Sequence, residues 1–138
     1  MTTPTMTGAV QHPLVQKIIA YQQGMATGAP DAAAVFAPDV IYVVPGANAL
    51  SGTHQGPAAV MGYFGELMQR SAGSYRIDAM HWLVCGDKVI LETRNAATVD
   101  GRSLVWDEAL LFEFRDGRKQ RIEMFQADQA AVDVLFGA

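Results

Sequence analysis

The sequence predicts an α+β domain, with helices packed on one face of a curved antiparallel sheet. Apolar residues recur at three- and four-residue steps in the first half, around 13–28 and 57–71. Four runs rich in β-branched and aromatic types fill 75–126. Gly86-Asp87, Asp100-Gly101 and Asp116-Gly117 punctuate those runs with the turn chemistry of tight hairpins. Helices laid across a curled sheet enclose a cone with a cavity.

Taken in order, Met1–Gln11 is rich in Thr and Gly and reads as a loose tail, leaving 12–138 as a single domain. His12-Pro13 opens an amphipathic helix through Leu14, Val15, Ile18, Ile19, Tyr21, Gln22 and Met25, ending at Gly28. Pro30-Asp31 begins a second, short helix through Phe36, and Pro38-Asp39 breaks it. Val40–Val44 is a buried strand, and Pro45–Gly56 is a loop. Val60, Met61, Phe64, Leu67 and Met68 define one side of a third helix, from Pro57 to about Ser71. The meander follows as Tyr75–Val84, Lys88–Val99, Arg102–Arg115 and Lys119–Gln126, and Gln129–Phe136 closes the chain as a last helix.

The longest strand holds the main functional signal. Counting by twos, Leu104, Trp106, Glu108, Leu110, Phe112 and Phe114 share a face, and Val105, Asp107, Ala109, Leu111 and Glu113 share the other. The first face suits a position under helices, yet Glu108 stands in its middle. A buried carboxylate is costly unless paired, and such a group often marks a site. The opposite face is too apolar for open water at Val105, Ala109 and Leu111, which predicts a homodimer through the outer sheet.

Bulk properties narrow the class. The chain has 138 residues, 50% hydrophobic and 17% charged, an apolar balance that points to an interface or a greasy pocket beyond the ordinary core. A net charge of −4 and a pI near 5.2 argue against nucleic acid, since no basic face is available. Cys85 stands alone, which excludes an internal disulfide. His12, His54 and His81 show no ligand spacing, so no metal is expected. No leader or membrane-span pattern stands out, and the expectation is a cytoplasmic protein without a membrane partner.

Five stretches stand out: A-T-G-A-P-D with V-F-A-P-D-V-I-Y-V-V-P-G, L-S-G-T-H-Q-G before A-V-M-G-Y-F, H-W-L-V-C-G-D, W-D-E-A-L-L-F-E-F-R-D-G-R, and Ala127-Asp128-Gln129. Together they resemble the SnoaL-like polyketide cyclase branch of the nuclear transport factor 2 superfamily. The likeness runs from His12 to the end. It implies a cone lined by Tyr21, Tyr42, Val44, Phe64, His81, Leu91, Thr93, Asn95, Trp106, Glu108, Leu110, Met124 and Gln126. It also implies chemistries that this chain meets incompletely. The positions that hold a carboxylate base and an oxyanion-hole acid in the steroid isomerase relatives are Val44 and Leu110 here. The cyclase aspartate falls near Met124, and the inward set offers no arginine for the Asp–Arg–Asp arrangement of the epoxide hydrolases. Only Tyr21 matches a catalytic tyrosine.

The expected function is therefore acid–base chemistry without a cofactor on a hydrophobic metabolite: isomerisation, cyclisation or dehydration. Glu108 is the candidate proton shuttle, with His81 and Tyr21 beside it and Tyr42, Val44, Phe64, Thr93, Asn95, Trp106, Leu110, Met124 and Gln126 as substrate contacts. Each has a plainer reading. Glu108 can be a structural carboxylate tied to a neighbouring strand, His81 a hydrogen-bonded core histidine, and Tyr21 an ordinary core tyrosine. The alternative function is a binder of apolar ligands that keeps the cavity and lacks the chemistry; epoxide hydrolysis is the more remote enzyme reading.

Overall fold

A computed structural model describes residues 3–28 and 31–137. Helix α1 spans Pro13–Thr27, α2 Pro57–Arg70 and α3 Gln129–Phe136. The strands are β1 Thr5–Gly8, β2 Phe36–Val44, β3 Gly52–Gln55, β4 Arg76–Cys85, β5 Lys88–Val99, β6 Arg102–Arg115 and β7 Arg118–Gln126. They form one seven-stranded sheet in the order β1-β4-β5-β6-β7-β2-β3. It is curved and unclosed, and the helices cover its inner face.

The four-strand meander lies where the turn signals place it. Asp100 and Asp116 adopt positive φ, and each is followed by a positive-φ glycine, as the hairpin turns require. The flanks differ from expectation. Residues 5–8 of the expected loose tail pair in parallel with β4, from Thr5 opposite Ala79 to Gly8 opposite Trp82. Strand β2 runs parallel to β7, so the sheet is mixed rather than wholly antiparallel. The expected loop 45–56 contributes the short edge strand β3. The expected second helix is a 3-10 turn over Ala32–Val35, and its Pro30 lies outside the described residues. Phe36 already belongs to β2, whose pairing with β7 slips between Phe36 and Ile41. Pro38 falls in that slip, where its missing N–H takes nothing from the ladder.

Helix α1 is held at its start by His12, whose Nδ1 accepts from the Leu14 N–H, and ends at Gly28 in the left-handed conformation. Val15, Ile18, Ile19 and Tyr21 form its buried face. Gly8 marks the tightest approach of β1. Its φ is +84°, and a Cβ there would run into the Trp82 carbonyl oxygen. Gly8→Ala is expected to destabilise by about 2–3 kcal/mol, combining left-handed strain with a backbone clash. Denaturant midpoints, with amide exchange of residues 5–8, measure it; an unchanged midpoint would show that β1 contributes nothing.

Candidate active site

The site is built on cross-strand neighbours. On the inner face Thr93 of β5 lies opposite Glu108 of β6, which lies opposite Gln126 of β7. One step along, Asn95 faces Trp106, and Leu110 faces Met124. These pairings bring side chains distant in sequence within contact. The Glu108 Oε1 accepts from Trp106 Nε1 at 3.1 Å and from Gln126 Nε2 at 2.8 Å. Burial drives its carboxyl pKa upward, and the hydrogen bonds from Trp106 and Gln126 only partly oppose the rise.

Above the carboxyl, Val44, Pro45, Asn48, Leu50, Tyr63 and Leu67 from β2, the next loop and α2 meet Gln129, Val132 and Phe136 of α3. Tyr75, Trp106, Met124 and Gln126 complete the wall. The space left is about 20 Å³, room for one water molecule. The greasy cavity anticipated from sequence is thus closed. Gln126 Oε1 in its wall is buried without a hydrogen-bond partner, as are Thr93 Oγ1 and Asn95 Nδ2 on the neighbouring strand. Tyr75 donates to Asn95 Oδ1 at 3.5 Å. Burial raises the hydroxyl pKa of Tyr42, Tyr63 and Tyr75, and the nearby Glu108 charge adds to it, so all three stay protonated donors.

Of the sequence candidates, Glu108, Trp106, Val44, Met124 and Gln126 converge on this cavity. Thr93 and Asn95 are buried beside Glu108 along the sheet. Tyr42 lies behind Tyr63, ring centroids 5.0 Å apart, and Phe64 packs on both. Leu110 belongs to the surrounding core.

Two assigned roles fail. His81 is exposed, and its Nδ1 lies 2.7 Å from Thr7 Oγ1 on the outer face. The reason is parity: Met80 and Trp82 of β4 are buried, so the residue between them points away. Tyr21 is buried toward the other end of α1's apolar face, edge-on to Phe36 at 5.0 Å, its hydroxyl reaching only Met61 Sδ at 3.8 Å. Phe64, 6.3 Å from its ring, leads from Tyr21 toward Tyr42 and Tyr63. The residues that do surround Glu108, Tyr63 and Tyr75, were passed over. Tyr63 had a signal, since Val60, Tyr63 and Leu67 form the buried stripe of α2.

Helix α3 and the loop after β2 close the mouth. Asp133 Oδ1 accepts from Ala47 N at 3.1 Å, Asn48 Nδ2 at 2.8 Å and Gln129 Nε2 at 2.9 Å. These bonds, led by that from Asn48, hold the Asp133 pKa below its ordinary value. A depressed carboxylate pKa gives stability that is present above the unfolded value and lost as pH falls through the lower, folded one. Asp133→Ala is expected to cost about 1–2 kcal/mol, by the usual worth of such bonds. It should speed amide exchange across 46–50 and α3; unchanged exchange there would show that the contact does not hold the mouth.

Among the described residues no group of His, Cys, Asp or Glu is arranged to hold a metal ion, and no helix is long and apolar enough to cross a membrane.

Comparison with known proteins agrees with this architecture. An uncharacterised protein of Mycobacterium tuberculosis is 34% identical over 99 residues, 71% of this chain and 76% of that protein. A cystatin-like protein of unknown function from Xanthomonas campestris superposes with TM-score 0.81 at 27% identity, covering 92% of this chain and all of that one. TerC, co-crystallised with polyporic acid, superposes with TM-score 0.76 at 22% identity, covering 92% of this chain and 100% of its own. Other structures of this shape are described as NTF2-like proteins or polyketide cyclases. The SnoaL-like domain model matches residues 18–122, and the chain belongs to that family.

Proposed function

We propose that the protein is a small-molecule enzyme working by acid–base chemistry without a cofactor, on an apolar metabolite held against Glu108. One observation carries this: a carboxyl inside an apolar cone, flanked on the two neighbouring strands by buried polar atoms of Thr93, Asn95 and Gln126 that lack partners. Such atoms are costly to leave unpaired, and a ligand bearing a carbonyl or hydroxyl would satisfy them. In its ionised form Glu108 takes a proton from a carbon or hydroxyl of the substrate and returns it at a second position. Tyr63 and Tyr75 remain protonated and suit donation to a developing oxyanion. Isomerisation, cyclisation and dehydration all fit that exchange. TerC's co-crystallisation with polyporic acid makes compounds of that kind reasonable first probes. Because the closed cavity holds about one water, entry requires the mouth under Asp133 to open.

A second reading is a binder without turnover, favoured by the apolar side chains of Val44 and Leu110 at positions where steroid isomerase relatives carry acids. Among the described residues no arginine lines the cavity around Glu108, which leaves epoxide hydrolysis without its arginine. Titration of wild type and Glu108→Gln with polyporic acid and related quinones, followed by Trp106 fluorescence and product analysis, separates the readings. Conversion by wild type alone supports the enzyme; binding by both without conversion supports the binder; binding by neither overturns both.

We further propose that the outer sheet face pairs with a second copy. Leu83, Ile90, Val105 and Phe125 are 38–59% exposed there, four large apolar side chains on one face that a partner would cover. A double charge substitution, Val105→Asp with Phe125→Asp, is expected to halve the sedimenting mass; a wild-type monomer would refute the pairing.

A further inference from the structure

Seven residues along β7 from Gln126, roughly 20 Å at strand spacing, the inner face carries a lysine among aromatic rings. Lys119 is 2% exposed and pairs with Phe36 on one side and Phe114 on the other. Its Nζ lies 4.1 Å from the ring centroid of Tyr21, 4.9 Å from Phe112 and 5.2 Å from Phe36. Among the described residues no carboxylate lies within ion-pair distance of it, although exposed arginines nearby have such partners. A slip in the β6–β7 pairing between Glu113 and Phe114 accompanies its inward turn. Tyr21, which covers the amine, also lines a surface groove of about 510 Å³ between α1, the 3-10 turn and the β6–β7 turn. Lys17, Asp31, Val35 and Gly117 form other parts of that groove.

We propose that Lys119 is a carbonyl-reactive amine, capturing small aldehydes that enter past Tyr21 from this groove as a Schiff base. The chemistry follows from the surroundings. Three aromatic faces attract a cation but do not replace its lost hydration, and burial lowers the lysine pKa to about 7. Tyr21 is the titratable side chain among the three rings, and burial keeps its hydroxyl protonated. A neutral amine is therefore populated near neutral pH, the condition for attack on a carbonyl. The Nζ lone pair adds to the carbonyl carbon, one proton passes from nitrogen to oxygen to give the carbinolamine, and the hydroxyl then leaves as water with the second nitrogen proton as the C=N bond forms. Nothing is oxidised or reduced. The crowding of the rings favours an aldehyde, with hydrogen on the reacting carbon, over a ketone. A neutral imine also suits the apolar cage better than the ammonium ion does.

The full-length protein is incubated at pH 7 with acetaldehyde and cyanoborohydride, which traps the imine as a secondary amine, and peptides are analysed by mass spectrometry. Lys119 is expected to be labelled at least about tenfold faster than the exposed Lys88. The Lys119 rate should titrate with a midpoint near 7, and Lys119→Met should lose that label alone. Labelling of Lys119 slower than Lys88 in the folded protein, or only after urea unfolding, overturns the proposal.

Discussion

Glu108→Gln is expected to lower turnover by about 10²–10⁴-fold, the usual worth of a positioned proton-transfer group. Glutamine keeps the shape and can still accept from Trp106 Nε1 and Gln126 Nε2 through its amide oxygen, so binding should survive. It cannot ionise. The same substitution should make the protein more stable at neutral and alkaline pH. The folded-state pKa of Glu108 is raised, so between the unfolded value and the higher folded value the native state holds the extra proton. Its contribution is fully present below the unfolded pKa and lost as pH rises through the folded one. Glutamine removes that loss, by about 1–3 kcal/mol on the scale of buried polar groups. Thermal midpoints of both proteins at pH 4 and pH 8 test this: the midpoint difference should favour the variant more strongly at pH 8. A variant destabilised equally at both would mean that the carboxylate is a structural tie rather than a strained catalytic group.

Lys119→Met carries the other large effect, an expected gain of about 2–4 kcal/mol at pH 6 from removing a buried charge with no opposite charge against it. Here the folded pKa is depressed to about 7, far below the ordinary lysine value. Below pH 7 the native state carries the full penalty of a buried ammonium. Between about 7 and the unfolded value the unfolded chain binds the extra proton, so wild-type stability climbs with pH. Above pH 10 the trend reverses, because Tyr21, Tyr42, Tyr63 and Tyr75 keep protons that the unfolded chain has shed. Urea unfolding from pH 6 to 9 should show wild type gaining stability relative to the methionine variant as pH rises. A difference that does not change with pH would mean that the ammonium finds solvation that its ring cage does not suggest.

The contrast between His81 and Glu108 shows how far the linear pattern reached. Glu108 was legible because β6 alternates without interruption over its inward face, from Leu104 to Phe112, so parity alone set the carboxyl among apolar neighbours. His81 was placed inward from family likeness, against the parity of Met80 and Trp82, and parity prevailed. Tyr21 failed differently. Helical periodicity correctly buried it, but which end of the cone it reaches depends on how α1 crosses the sheet, and Tyr63 and Tyr75 hold the places near Glu108 instead.

The edges were less legible than the centre. Residues 5–8 are too few and too poor in apolar side chains to signal a strand; they become one because β4 offers an unpaired edge and Gly8 lets the backbones approach. Lys119 enters the sequence pattern only as the first residue of the strand 119–126, and the slipped register beside Phe114 is what turns it inward.

By itself the sequence determined the α+β order, the four-strand meander with its turns, α1, α2 and α3, and the carboxylate at the middle of the longest strand. All of these rest on interactions between near neighbours, which period and turn chemistry encode directly. Tertiary structure alone decided that the cavity is shut to the size of one water, that tyrosines 63 and 75 attend Glu108, and that a lysine is enclosed by aromatic rings. Those outcomes depend on bulges, helix crossing and side-chain packing between distant segments, which no local pattern records.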